Sequence, residues 1–548
     1  KNDTVDTYVD NYEADNMNND TVRNGKSDSV ASDTKNDNIA NDTSTFVVVD
    51  GDRSKDNSVK GTVGGGRKPR DLPHIDINSW KEHFENVLGG NADENNNAEE
   101  NVHFDDVQDF DLDQPITHDE VRKAIRSLKC GKASGLDQVL GEFLKYSEQF
   151  ITPFLTKLFN KLFDSGHFPD DWTRSVIIPL LKKGDVLNPE NYRGISLLSI
   201  TSKVFTKILN TRLYNWAERE GKICEEQDGF RKHYSTVDHI FTLFSLIQKT
   251  LNAKRKSKVY VAFIDYMKAF DTVNRDSLWK VLMKVKMSTK MLCMLQAMYS
   301  SVQSCVRWGA TVSDFFDCPS GLKQGCLLSP LVFSLLISEV ADEVFSNGKH
   351  GFQFSPGLRE IFLLLFADDI VLLSSTPVGL QTQLNNLARA SDRLGLKVNF
   401  SKTKVMIFRK GGKISRKEKW FLKGSELEIV NDYKYLGFVF TSKLSVVSAL
   451  NQVVRRGKGK VVDILKTMWS LGKLDLSFFF KLFDAQVKPM LLYASEVWGA
   501  IHYKCIESVQ LFALKRLLVS PRTPNTMVYG ETARCPLYID STISTVRY

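Results

Sequence analysis

Two adjacent aspartates, Asp368 and Asp369, interrupt an otherwise apolar run, Phe362-Leu-Leu-Leu-Phe366-Ala367-Asp368-Asp369-Ile370-Val-Leu-Leu373. Such a run belongs in a core, where an uncompensated carboxylate costs on the order of several kcal/mol. Two side by side cannot both stay ionised without a cation or strong donors. A divalent metal is the simplest partner. A second apolar run, Val259-Tyr-Val-Ala-Phe-Ile264-Asp265-Tyr266, lies upstream and also ends in a carboxylate. A strand ending in one aspartate beside a hairpin tipped by two is the layout that two-metal phosphoryl transfer requires. That chemistry uses two ions about 3.5–4 Å apart, held by a few carboxylates and the substrate phosphates. Asp265 and Asp368 are placed to bridge both ions, with Asp369 in support.

The 548 residues leave room for several domains, and 42% hydrophobic content suffices for a large core. No apolar run reaches the roughly 18 uncharged residues of a membrane span. The eight cysteines are scattered without Cys-x-x-Cys spacing, which fits isolated thiols in a reducing compartment better than a disulfide framework or a zinc site. Lys1 is no initiator, and the chain reads as a fragment of a longer product. Residues 1–60 hold 13 acidic and 7 basic residues, which leaves 66 basic against 52 acidic in the remainder. A basic body suits a polyanionic partner.

Residues 1–70 are rich in Asn, Asp, Ser and Thr, repeat Asn-Asp-Thr at positions 2, 19 and 41, and pass through Gly64-Gly-Gly66. They contain too little apolar surface to offset ordering entropy, so disorder is expected there. Residues 71–116 hold a short amphipathic helix, with Trp80, Phe84, Val87 and Leu88 on one face and Gly89-Gly90 as its stop, then an acidic linker. The folded body is expected from Thr117-His-Asp-Glu120, a capping box ahead of Val121, Ala124, Ile125 and Leu128, with Gly131 ending that helix. The Gly131-Lys-Ala-Ser134 stretch is no P-loop, because Arg126 stands where the leading glycine belongs. Residues 202–217 show a helical period that turns Val204, Phe205, Ile208, Leu209, Leu213 and Trp216 inward. From there to about 440, β-rich and helical runs alternate, as in an α+β fold. Beyond 440 the pattern is helical and basic, notably Arg455-Arg456-Gly-Lys458-Gly-Lys460.

Read in order, the motifs resemble those of a reverse transcriptase of the non-LTR (LINE-like) retrotransposon class. Phe366-Ala-Asp-Asp369 resembles the catalytic hairpin, and Ala262-Phe-Ile-Asp265-Tyr-Met-Lys-Ala-Phe270-Asp-Thr-Val273 the first palm motif. Gly321-Leu-Lys-Gln324-Gly325-Cys-Leu-Leu-Ser329-Pro330 is similar to the loop and helix beneath template and nucleotide. Ile177-Ile-Pro-Leu-Leu-Lys182-Lys183-Gly and Asn191-Tyr-Arg193-Gly-Ile-Ser-Leu-Leu198 resemble the fingers strands. Gln227-Asp-Gly229-Phe-Arg231 with Ser235-Thr236-Val-Asp238, then Gly395-Leu-Lys-Val-Asn399-Phe-Ser-Lys402-Thr403, Tyr435-Leu-Gly437 and Lys488–Trp498, continue the series over residues 117–540.

The resemblance implies a right-hand polymerase with fingers over 117–250, a palm with an antiparallel sheet over 251–440, and a helical thumb and partial C-terminal segment over 441–548. Asp265, Asp368 and Asp369 would bind two Mg²⁺ ions, with Mn²⁺ as a substitute, and Lys402 would neutralise or protonate the departing pyrophosphate. Phe270 matches a gate beneath the sugar that favours dNTPs. Arg193 and either Lys182 or Lys183 would hold the triphosphate, and Gln324 and Gly325 would lie at the nascent base pair. Arg455, Arg456, Lys458 and Lys460 would follow duplex phosphates. Implied partners are an RNA template, a DNA primer and target, and dNTPs, with no membrane. An endonuclease would come from another part of the full-length protein or from another protein. Nuclear action follows from the family, with ribonucleoprotein assembly in the cytoplasm; the basic run Arg409–Lys419 reads as a solvated loop. The family usually has proline where this chain has Gly194, which reads as a loosened turn. The competing readings are a copy that binds RNA without polymerising, a polymerase of different template or product choice such as an RNA-dependent RNA polymerase, against which Phe270 discriminates, and a group II intron-type enzyme.

Overall fold

The computed structural model describes residues 75–548 except 90–105, 254–256, 346–350, 354–356, 358–359, 413, 416–417, 473–474 and 519–520. The disorder expected over 1–70, and most of the acidic linker, therefore lie outside the described residues.

Helix α1, Ile77–Leu88, starts where the Asp76 carboxylate accepts from the Asn78 amide, and it ends at Gly89. Its apolar face packs inward at Trp80 and Phe84: Trp80 is 0% exposed and stacks on Phe84, with its edge against Tyr192 and a tilted contact to Trp308. The folded body thus begins before Thr117, contrary to the sequence expectation, because these rings complete the core of the first sheet. The capping box at Thr117–Glu120 forms as expected and opens α2, His118–Arg126. That helix closes earlier than expected, at Ser127, whose hydroxyl bonds the Ala124 carbonyl. Gly131 instead adopts a left-handed turn (φ +68°) and donates its N–H to Glu142.

Helix α3, Glu148–Ser165, leads to strand β1, Ser175–Leu181, which pairs antiparallel with β2, Tyr192–Leu197. Helix α4, Ile200–Arg219, buries all six of the residues its period selects. Helix α5, Thr236–Ala253, precedes β3, Lys258–Asp265, and β4, Gln303–Trp308, then returns to pair parallel with β1. A sheet of the expected fingers region therefore recruits a strand from beyond residue 250. Sequence order hides this, because β4 stands far from its partner along the chain.

After α6, Ser329–Phe345, come β5, Leu363–Phe366, and β6, Asp369–Ser374. Next are α7, Pro377–Arg393, and β7, Lys404–Arg409. The four strands form an antiparallel sheet in the order β5-β6-β3-β7. Side chains alternate across a strand, and here both faces are buried. Tyr260, Ala262 and Ile264 of β3 join one core, while Val259, Val261 and Phe263 join the other. This two-sided burial explains why the strands read as continuous apolar runs rather than alternating ones. The second core also takes α5, the hairpin β8 (Asp432–Tyr435) to β9 (Phe438–Thr441), α8 (Val446–Ser470) and α9 (Lys504–Leu517). The expected α+β class with an antiparallel sheet is observed. No described helix is long and apolar enough to cross a membrane.

Candidate active site

Strand register brings the aspartates together. Asp265 ends β3 directly opposite Asp369, the first residue of β6, and Phe366 pairs with Asp369 across a two-residue turn of Ala367 and Asp368. By alternation, Asp265 and Asp369 share the face of Phe263 and Val371. Asp265 is buried, and Asp368 and Asp369 are half-buried. The Lys402 ammonium stands 3.6 Å from Asp265 Oδ2. The loop carrying Lys402 is tied to the same strand end, since Asn399 N–H donates to the Asp265 carbonyl at 2.7 Å and Asp265 N–H donates to Thr403 Oγ1 at 3.3 Å.

Hard carboxylate oxygens at one sheet end are the donor set that Mg²⁺ takes, and Lys402 already supplies one positive charge there. Among the described residues, no three acidic, His or Cys side chains close around a single point. The fit therefore rests on the placement that strand register gives the three carboxylates. Tyr433 stacks on Phe263 at 4.2 Å, and burial raises its phenol pKa first, helped by the charges of Asp369 and Asp265. Its place beside the carboxylates was not read from the sequence, where only Tyr435-Leu-Gly437 stood out.

A second group gathers around a residue the sequence reading passed over. Asp271 accepts a 2.7 Å hydrogen bond from Gln324 Nε2. Burial pushes its carboxyl up to about 6, against the downward pull of that bond and of the charges on Lys182, Lys268 and Arg193. Four groups that could hold a nucleotide thus share one neighbour. Of the lysine pair left open by the sequence, Lys182 is one whose charge acts on this carboxylate. Lys268 was missed as well; its position in the Asp265–Phe270 stretch was the available signal.

The loop bearing Gln324 is fixed by backbone bonds, Leu322 N–H to the Phe270 carbonyl at 2.7 Å and Ser196 N–H to the Gln324 carbonyl at 2.8 Å. Gly325 has φ +128°, and a Cβ there would meet Ser196 O at 2.5 Å, so the approach requires glycine. Phe270 is half-buried, stacked on Phe333 at 4.4 Å and edge-on to Phe230 at 6.1 Å. Two rings therefore hold its orientation.

Gly194 lies inside β2, opposite Pro179, and not in a turn. A Cβ there would meet Phe84 Cε1 at 2.6 Å and Ile177 Cγ2 at 2.8 Å. The departure from proline is thus matched to α1. On α8, Arg455, Arg456 and Lys460 are exposed, whereas the Lys458 ammonium lies 5.7 Å over the Phe512 ring.

Residues 180–440 match the family described as reverse transcriptase (RNA-dependent DNA polymerase). The chain is 28% identical over 426 residues to a probable RNA-directed DNA polymerase from transposon BS of Drosophila melanogaster, covering 74% of this chain and 45% of that protein. It is 24% identical over 419 residues to the RNA-directed DNA polymerase from mobile element jockey of Drosophila funebris, covering 74% and 44%. Identity is 27% over 341 residues to a Pol polyprotein from the type-1 retrotransposable element R2 of Popillia japonica, covering 60% and 45%. The chain thus spans less than half the length of these relatives. Among solved structures, it is similar to an apo telomerase from Candida tropicalis truncated from its C-terminal domain, at TM-score 0.36 and 13% identity, covering 57% of this chain and 62% of that one.

Proposed function

From a chain whose residues 180–440 match the reverse transcriptase family, we propose the polymerase part of a non-LTR retrotransposon protein, one that extends a DNA 3′ end on an RNA template. The observation that carries this reading is the register of Asp265 against Asp369, with Asp368 at the adjoining turn. In right-hand terms, fingers occupy 117–250 with β4 added, the palm 251–440, and the thumb 441–548.

Asp265, Asp368 and Asp369 would hold two Mg²⁺ ions, whose bound chemistry is activation of the primer hydroxyl and neutralisation of charge on the transferring phosphate. Lys402, close to Asp265, offsets carboxylate charge and is placed to meet the departing pyrophosphate. Arg193 offers the triphosphate two parallel donors and Lys182 a point charge. Gln324, its amide fixed by Asp271, faces the nascent pair. Phe270, wedged between Phe333 and Phe230, closes the space a ribose 2′-hydroxyl would need. Arg455, Arg456 and Lys460 engage duplex phosphates without reading sequence. The working site would be a nicked chromosomal 3′ end, hence the nucleus, with the nick made by another protein or another part of the same one.

Primer extension on an RNA template, with dNTPs and rNTPs tested separately, decides this. Mg²⁺-dependent extension by dNTPs is expected. Extension by rNTPs overturns the sugar gate, and duplex binding without extension favours the binding-only copy.

A further inference from the structure

The turn that carries Asp368 has an unusual need. A two-residue hairpin connection of this kind requires a positive φ at its first central position, where glycine is the usual residue. Here that position is Ala367, with φ +56°. An L residue is unfavourable in this region unless the surroundings hold it.

The holding contact comes from far along the chain. Gln227 Oε1 accepts the Ala367 N–H at 3.0 Å and the Gly229 N–H at 2.8 Å. Both lone pairs of that oxygen are thereby used, and Gln227 is 0% exposed. Its backbone neighbours lie along the outer edge of β5: Leu365 N–H donates to the Glu226 carbonyl at 2.8 Å, and Asp228 N–H donates to the Leu365 carbonyl at 3.0 Å. A Cβ at Gly229 would stand 2.4 Å from the Ala367 nitrogen, so the segment crosses the turn in direct contact. The segment is anchored from behind by Asp228 Oδ2, 2.9 Å from His239 Nε2, and by His239 Nδ1, 3.1 Å from the Tyr435 hydroxyl.

We propose that Gln227 is a positioning residue for the aspartate hairpin: its side-chain oxygen holds the left-handed turn at Ala367 and so sets the direction in which Asp368 and Asp369 present their oxygens to metal. This rests on the reading of that hairpin as the Mg²⁺ site. Gln227 is fully buried behind the turn. It acts through the turn, as partners behind metal ligands commonly do, and loss of such partners typically weakens metal affinity about 10–100-fold.

Gln227→Met keeps length and apolar bulk but removes the acceptor. The full chain is assayed for the Mg²⁺ concentration giving half-maximal extension, for the Mg²⁺-induced rise in Tm without nucleic acid, and for duplex affinity by fluorescence anisotropy. The expected result is an approximately tenfold higher Mg²⁺ requirement and a Tm rise cut at least by half, with duplex affinity unchanged. Adding Ala367→Gly, which accepts the left-handed turn without a clamp, is expected to restore much of the Mg²⁺ response. A folded Gln227→Met chain with the wild-type Mg²⁺ response overturns the proposal, as does a parallel loss of duplex binding. Should Gln227→Met not fold, Gln227→Glu, which retains the acceptor, is expected to keep the Mg²⁺-induced Tm rise, and its loss in a folded variant overturns the proposal. A wild-type chain whose Tm responds to Mg²⁺ through Asp368 yet does not extend primers sinks the polymerase reading alone, because the Tm comparison still decides the role of Gln227. A wild-type chain with no Asp368-dependent Mg²⁺ response overturns both.

Discussion

Asp271 shows how one buried carboxyl organises neighbours that the sequence presents separately. In an unfolded chain this group titrates near 3.8, and burial in the fold raises it to about 6. The folded state therefore holds the proton more tightly, so Asp271 favours folding below about pH 4 and that contribution is lost as pH rises through about 6. Asp271→Asn removes the titration while keeping an acceptor for Gln324. Tm measured from pH 4 to 7.5 should show the wild-type chain falling relative to this variant up to about pH 6–7, with a constant gap above; parallel curves would remove the assignment. Phe270 is equally fixed by its neighbours. Its ring is fixed between Phe333 and Phe230, so Phe270→Ala opens space beneath the sugar. Preference for dNTP over rNTP in kcat/KM should fall by at least about tenfold, which corresponds to ~1.4 kcal/mol. The aspartates proposed to hold metal were legible in the sequence because carboxylates in apolar runs demand a reason. Asp271, Gln227 and the choice of Lys182 were not, because their meaning lies in contacts between segments distant along the chain.

Helix α1 belongs to the functional body more closely than its sequence suggests. Its rings pack on Tyr192 and Trp308, Phe84 fills the space above Gly194, and its last carbonyl, on Leu88, accepts from Ser320 at the start of the Gln324 loop. The periodicity identified the helix and its apolar face. It could not say what that face covers, and an acidic linker following it made the helix look separate. The inward face of α4, in contrast, was fully legible, because twenty residues give the 3.6 period several turns to repeat. Trp80→Ala should destabilise the fold by about 3–5 kcal/mol in urea titration. Gly194→Ala should destabilise by about 1–3 kcal/mol through overpacking against Phe84, and by markedly less in a Phe84→Ala background. Additive penalties would contradict the fit between α1 and β2.

Across the whole molecule, two sheets divide the work. The β5-β6-β3-β7 sheet, buried on both faces, gives the aspartates a rigid end to stand on, and the β2-β1-β4 sheet brings Arg193 and Lys182 to the Gln324 loop. The α+β class was legible from alternating runs, whereas the crossing of β4 into the first sheet was not, since parallel pairing leaves no local mark. On α8, charge is expected to act through counterion release. Replacing Arg455, Arg456 and Lys460 by alanine should weaken duplex binding uniformly across sequences and flatten its salt dependence by about one unit per residue. Lys458→Ala should do less, because that side chain lies over Phe512. An unchanged salt slope in the triple variant would remove α8 from the duplex path. On the proposed reading, strand register assembles Asp265, Asp368 and Asp369 into the centre of nucleotidyl transfer. RNA-templated extension by the wild-type chain, Asp265→Asn and Asp368→Asn, with duplex affinity and Tm measured on the same samples, tests it most directly. Wild-type extension with Mg²⁺ and dNTPs is expected, with a loss of about a thousandfold or more in each variant, ~4 kcal/mol in barrier terms, and preserved folding and binding. Substantial extension by either folded variant would contradict it.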